Sequence, residues 1–193
     1  MRVAALLAVP AVAVVLAWPG GSDEHHVAPL RVSSGNGVAT GFAVAPNRVV
    51  TVAHVVDGQV KVRGRRARVL RIDRRSDLAL LSVPGVGAAA PGIASAGNGE
   101  HLRMVRLRGG RPSLLPVRVR RVIVAHVSAP GARRAVGRPA LELSARVAHG
   151  DSGAPVITDD GAIAGILFAA ARKRGNTAYA VNATALDRLL HPH

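Results

Sequence analysis

The 193-residue chain has no cysteine, four aromatic residues and only 11 acidic ones. Without cysteine there is neither a disulfide frame nor a thiolate metal site, and the redox character of the compartment cannot be read from cysteine usage. Stability has to come from packing. With Trp18, Phe42, Phe168 and Tyr179 as the only aromatic side chains, the core must be built from Val, Leu, Ile and Ala, and no platform for stacking nucleobases exists. The scarcity of acids leaves 26 Lys plus Arg nearly unopposed, for a formal net charge of +15, and only Lys61 and Lys173 among those cations are lysine. Such a balance attracts polyanions and anionic surfaces at low salt. The arginines are nevertheless spread along the chain, densest from Arg63 to Arg75 and from Arg118 to Arg121, and no nucleic-acid motif accompanies them. They read as a solvated basic surface, and no specific nucleic-acid partner is expected.

What is present begins with a hydrophobic content of 49% in a length that suits one domain with a real core. Arg2 is followed by an apolar run from Val3 to Trp18, then by Pro19, Gly20 and the acids Asp23 and Glu24. A positive start, an apolar centre and small residues near its end describe a signal peptide, with Val15-Leu16-Ala17 as the candidate cleavage site. The same run also fits an uncleaved membrane anchor oriented N-in, C-out. On either reading residues 1–18 are a targeting segment, 19–36 a linker, and 37–193 the functional domain outside the cytoplasm.

Beyond the linker, short β-rich runs alternate with turn residues. The first set is Val38–Ala45, Arg48–Val52, Gln59–Arg63, Ala67–Ile72 and Leu78–Val83. After a Gly/Ala/Pro stretch, Pro84 to Asn98, comes a second set: Leu102–Leu107, Leu114–Val127, Ala140–Ala145, Ala154–Thr158, Ala162–Phe168 and Thr177–Val181. Alternation is clearest in Val117-Arg118-Val119-Arg120, which places valines inward and arginines outward. Two sets of strands about a central connection predict two β-barrels, about 37–84 and about 99–182. Only Ala183–Leu190, with Asn182 as its N-cap, reads as a helix.

The stretch with the most chemistry is His149-Gly150-Asp151-Ser152-Gly153-Ala154-Pro155. A serine framed by glycines before a Val-Ile strand can stand exposed while backbone N–H groups point at a substrate oxygen, although by itself the motif also fits a tight turn. A serine hydroxyl needs a base in contact, usually histidine, and the histidine needs an acceptor to hold its tautomer. His54, directly after the run Arg48–Val52, and Asp77, directly before Leu78–Val83, fill those roles at strand ends. An unpaired buried carboxylate is costly, so a histidine N–H is the partner Asp77 requires. Asp73 is the rival acid, but among Arg71, Arg74 and Arg75 it reads as a charge-paired surface residue.

These residues, together with Ala39-Thr40-Gly41-Phe42-Ala43-Val44-Ala45-Pro46, Thr51-Val52-Ala53-His54-Val55-Val56, Ser76-Asp77-Leu78-Ala79-Leu80-Leu81 and Gly165-Ile166-Leu167-Phe168-Ala169-Ala170, resemble the chymotrypsin-like serine peptidases. Within them the chain resembles the bacterial exported branch that includes the HtrA-type and MarP-like proteases. The resemblance runs from about residue 36 to 183. It implies an all-β fold of two six-stranded antiparallel barrels with a short C-terminal helix, endopeptidase activity on envelope or extracellular proteins, and no metal or organic cofactor. It makes His54 the general base, Asp77 the orienting acid and Ser152 the nucleophile, with the N–H groups of Gly150 and Ser152 as oxyanion hole and Asp151 a structural acid behind the loop. A substrate pocket formed by Arg146, Val147, Ala148, His149, Phe168, Ala169 and Ala170 is implied, with Arg146 either selecting acidic side chains or turned to solvent. Ala154 stands where the family has a second glycine, which matters if the backbone there needs a positive φ. No PDZ-like domain follows, so a monomer is expected, with protein or peptide substrates and an N-terminal tether as partners.

Overall fold

The computed structural model describes residues 27–87, 90–127, 136–171 and 175–191. The apolar run 3–18 lies outside them, and among the described residues no helix is long and apolar enough to cross a membrane.

The first half contains β1 (Pro29–Ser34), β2 (Gly37–Ala45), β3 (Arg48–Val52), β4 (Lys61–Val62), β5 (Arg65–Arg66), β6 (Arg68–Asp73) and β7 (Leu78–Ser82). They form one seven-stranded sheet in the order β5-β4-β1-β2-β3-β7-β6, one strand more than the six expected for this barrel, and among the described residues its edge strands β5 and β6 do not pair to close it. The stretch expected to be linker up to residue 36 therefore contributes a strand. Leu30 and Val32 are buried with a polar residue between them, so β1 has the alternation of a half-buried strand, too short to stand out beside the Gly/Ser-rich segment around it. In β3 the four residues after Arg48 are all buried, because the strand lies between β2 and β7 and is covered on both faces.

The second half contains β8 (His101–Arg108), β9 (Arg111–Val127), β10 (Val136–Ser144), β11 (Pro155–Ile157), β12 (Ile163–Ala170) and β13 (Ala178–Asn182). These close into a barrel in the order β10-β13-β12-β11-β8-β9. Val117 and Val119 are buried while Arg118 and Arg120 are exposed, as their alternation requires. The connection between the halves is not free chain: Ile93 bridges to Ile163, and the Ala94 N–H donates to the Ile163 carbonyl at 2.9 Å. Thr158 and Asp160 hydrogen-bond to each other in the turn between β11 and β12.

Helix α1 (Thr184–Leu190) closes the chain and buries Ala185, Leu186 and Leu189. Its cap position is Ala183; Asn182 acts one residue earlier than expected, its side-chain oxygen accepting the Thr184 N–H at 2.8 Å. One apolar cluster fills the first barrel and continues through Ile163, Ile166, Phe168 and α1, and a second, with Met104, Leu141, Leu143, Val156 and Leu167, fills the second barrel. The continuity of the first cluster holds the two halves together, and the candidate site lies along that junction.

Candidate active site

The histidine and the acid meet because of strand register. Antiparallel pairing of β3 with β7 sets Val52 opposite Leu78, so the residues just past one strand face those just before the other. A 3-10 turn over Ala53–Val55 carries His54, and the Ala53 N–H donates to the Asp77 carbonyl at 2.9 Å. Asp77 adopts a left-handed φ of 61°, a conformation that aspartate tolerates better than most residues. This turns its carboxylate back on the histidine: Oδ1 accepts the His54 backbone N–H at 2.9 Å, and Oδ2 lies 2.7 Å from His54 Nδ1. A carboxylate only accepts, so Nδ1 carries the proton and Nε2 presents its lone pair outward. The imidazole is 46% exposed and the carboxylate 14%, which leaves the ring accessible and its carboxylate partner sheltered.

The serine comes from the other barrel, on the loop between β10 and β11, and is fastened to β2. The Thr40 N–H donates to the Ser152 carbonyl at 2.8 Å, and the Thr40 hydroxyl donates to the Gly150 carbonyl at 2.8 Å. Thr40 is held in turn by Thr51, whose hydroxyl donates to the Thr40 carbonyl at 2.9 Å; Thr51 stands three residues before His54. Within the loop, Asp151, Gly153 and Ala154 give their N–H groups to the carbonyls of Ala148, Leu167 and Asp151. Among the described residues, no protein acceptor takes the N–H of Gly150 or Ser152. Gly150 and Gly153 both have positive φ, 90° and 85°, whereas Ala154 does not and packs its methyl into the second core. The position where the resemblance calls for glycine therefore has no conformational need for one.

Behind the loop, the Asp151 side chain is 1% exposed and fully engaged. Arg108 grips it through two hydrogen bonds of 2.9 and 2.7 Å, Arg106 approaches to 3.5 Å, and the Ala148 N–H donates to it at 2.9 Å. Its role as a structural acid is thus met by arginines from β8 that the motif reading did not single out. Asp73 accepts the N–H groups of Arg75 and Ser76 at 2.9 and 3.2 Å. It closes a turn rather than pairing with its neighbouring arginines, because backbone donors two and three residues on are closer than any side chain.

The expected pocket residues differ in exposure: Arg146, Ala148, His149 and Ala170 are exposed, Val147 and Ala169 are half-buried, and Phe168 is buried at 5% exposure. The Arg146 carbonyl accepts from Arg106 at 3.3 Å. Phe168 is covered by Arg138, whose guanidinium lies 4.8 Å from the ring centre and 3.6 Å from Asp77 Oδ2. No motif marked Arg138, yet it shares a strand face with the buried Ala140. Among the described residues, no group of three or more His, Asp or Glu is placed to hold a metal ion.

A mostly β domain in two halves, with a histidine–carboxylate pair on one and a glycine-framed serine on the other, defines the chymotrypsin-like class of serine peptidase. The model of the trypsin-like peptidase domain matches residues 39–166, and the chain belongs to that family. It is 33% identical over 159 residues to the serine protease Rv3671c of Mycobacterium tuberculosis, a match covering 75% of this chain and 39% of that protein. The chain therefore spans well under half the length of this curated relative. Among solved structures, the active form of the Rv3671c protease aligns at 29% identity with a TM-score of 0.77, covering 86% of this chain and 80% of that one. The MamO protease domain of Magnetospirillum magneticum has the same fold at 21% identity, with a TM-score of 0.71 over 87% of this chain and 98% of that one.

Proposed function

We propose that this protein is an exported serine endopeptidase that hydrolyses peptide bonds of envelope or extracellular proteins through His54, Asp77 and Ser152. The observation that carries the reading is the Asp77–His54 pair, closed at 2.7 Å with Nε2 left free, on the barrel to which the serine loop is fastened through Thr40. In the reaction, Ser152 Oγ attacks the peptide carbonyl and passes its proton to His54 Nε2. Asp77 stabilises the resulting imidazolium, and the N–H groups of Gly150 and Ser152 receive the oxyanion. His54 then protonates the leaving amine, giving an acyl-enzyme, and in the second half takes a proton from water to release the acid. Neither half draws on a metal or organic cofactor.

The apolar segment 3–18 directs the chain across the membrane, as a cleaved leader or as a tether on the outer face, and the domain acts as a monomer. The competing readings are a catalytically weak or inactive protease-fold binding module, against which the ordinary φ of Ala154 speaks, and a basic surface protein that binds a polyanion. A fluorophosphonate probe applied to the parent and to Ser152→Ala tests the reading: the parent labels and the variant does not. A folded parent that fails to label overturns it.

A further inference from the structure

Arg138 lies on β10 and points into the junction between the barrels, where the residue is only 6% exposed. Its guanidinium rests over Phe168 at 4.8 Å, and Nη1 stands 3.6 Å from Asp77 Oδ2. Both Nε and Nη1 are buried without a hydrogen-bond acceptor. Burying N–H donors unmade is unfavourable, and an apolar side chain of similar volume in place of a buried charge is commonly neutral or stabilising. Fold stability therefore does not account for an arginine here. What the residue does is present a fixed positive charge to the carboxylate that orients His54. Asp77 already accepts the backbone N–H and the Nδ1–H of His54; Arg138 is its third partner and comes from the opposite barrel.

We propose that Arg138 is a positioning residue that ties the Asp77–His54 pair to the barrel carrying Ser152. The proposal rests on the serine-peptidase reading given above. The guanidinium restrains the carboxylate, and through it the imidazole, relative to the nucleophile loop.

The test uses the full chain with Arg138→Met and Arg138→Lys, following the rate of fluorophosphonate labelling alongside the melting temperature. Arg138→Met is expected to melt at or above the parent and to label more slowly by roughly 10- to 100-fold, the scale on which a misplacement of up to about 1 Å acts on a reacting group. Arg138→Lys recovers part of the rate. Labelling of Arg138→Met at the parental rate overturns the proposal. So does a loss of labelling that merely tracks a lowered melting temperature. A parent that does not label at all removes the serine nucleophile itself, an outcome distinct from either.

Discussion

Gly153 and Gly150 offer a way to separate backbone strain from steric exclusion at the nucleophile loop. Both have left-handed φ, 85° and 90°, so alanine at either position incurs the same dihedral penalty of about 1–2 kcal/mol. Their surroundings differ. A Cβ on Gly150 meets nothing nearer than Val38 Cγ1 at 3.9 Å, whereas a Cβ on Gly153 would stand 2.0 Å from the Thr40 carbonyl oxygen and 3.0 Å from Thr51 Oγ1. Neither neighbour can yield cheaply, because Thr40 is in β2 and holds the loop through two hydrogen bonds. Forcing the loop and β2 apart adds roughly 1–3 kcal/mol, and losing the Thr40–Ser152 bond adds about 1 kcal/mol. Gly153→Ala should therefore lose about 3–6 kcal/mol against about 1–2 for Gly150→Ala. In a domain of this size each kcal/mol is worth roughly 2–4 °C, so thermal unfolding should place Gly153→Ala roughly 10–15 °C below the parent and Gly150→Ala about a third as far. Gly153→Ala should also stop fluorophosphonate labelling at temperatures where it is still folded, since Ser152 moves with the loop. Equal melting temperatures for the two variants would refute the steric argument and leave φ as the whole effect.

Three further outcomes follow from charges. Arg108→Met strips the buried Asp151 of its two shortest arginine contacts but leaves Arg106 and the Ala148 N–H, so the loss should be about 2–3 kcal/mol, below the ~3–5 of an uncompensated buried charge. Asp151→Asn should cost less, because the Arg108 that it frees is 39% exposed; urea midpoints measure both, and an Arg108→Met as stable as the parent rejects the pairing. The Asp160 carboxyl should titrate below the ordinary carboxylate range, chiefly because the Thr158 hydroxyl donates to it. A depressed folded value means this contact contributes at neutral pH and is lost as pH falls through that value. Carbon-13 titration of the carboxyl should move back toward the ordinary range in Thr158→Val, the backbone donors of Asp160 and Ala162 keeping part of the depression, and an unchanged midpoint would dispose of the assignment.

The halves of the fold and the His54–Asp77 pair were legible because each rested on a local pattern: a β-branched run, a turn, and a polar residue at the strand boundary. Strand register then did the rest, and register is what one-dimensional alternation encodes most directly. Strand β1 was not legible, since six residues with three buried side chains, one of them a proline, give little signal inside a segment whose composition reads as linker. The arginines were misread for a different reason. In β8, Leu102 and Met104 face the core, and the same period of two carries Arg106 and Arg108 onto that face, where Asp151 awaits them. The pattern was there, but overall basicity made every arginine look like surface. The same holds for Arg138, two residues from the buried Ala140. Pocket geometry left no comparable trace: whether Arg146 points in or out depends on loop conformation that periodicity does not constrain.

Thr40 fastens the serine loop to the strand next to the one that leads to His54, so the reactive parts are assembled only while the two barrels remain docked. A molecule whose halves have begun to separate loses the alignment of Ser152 with the base before either barrel has unravelled. Injury by heat, acid or a first nick in the chain therefore switches the enzyme off instead of loosening its restraint. For the exported hydrolase proposed above, that gives an intrinsic fail-safe: half-open copies attack nothing.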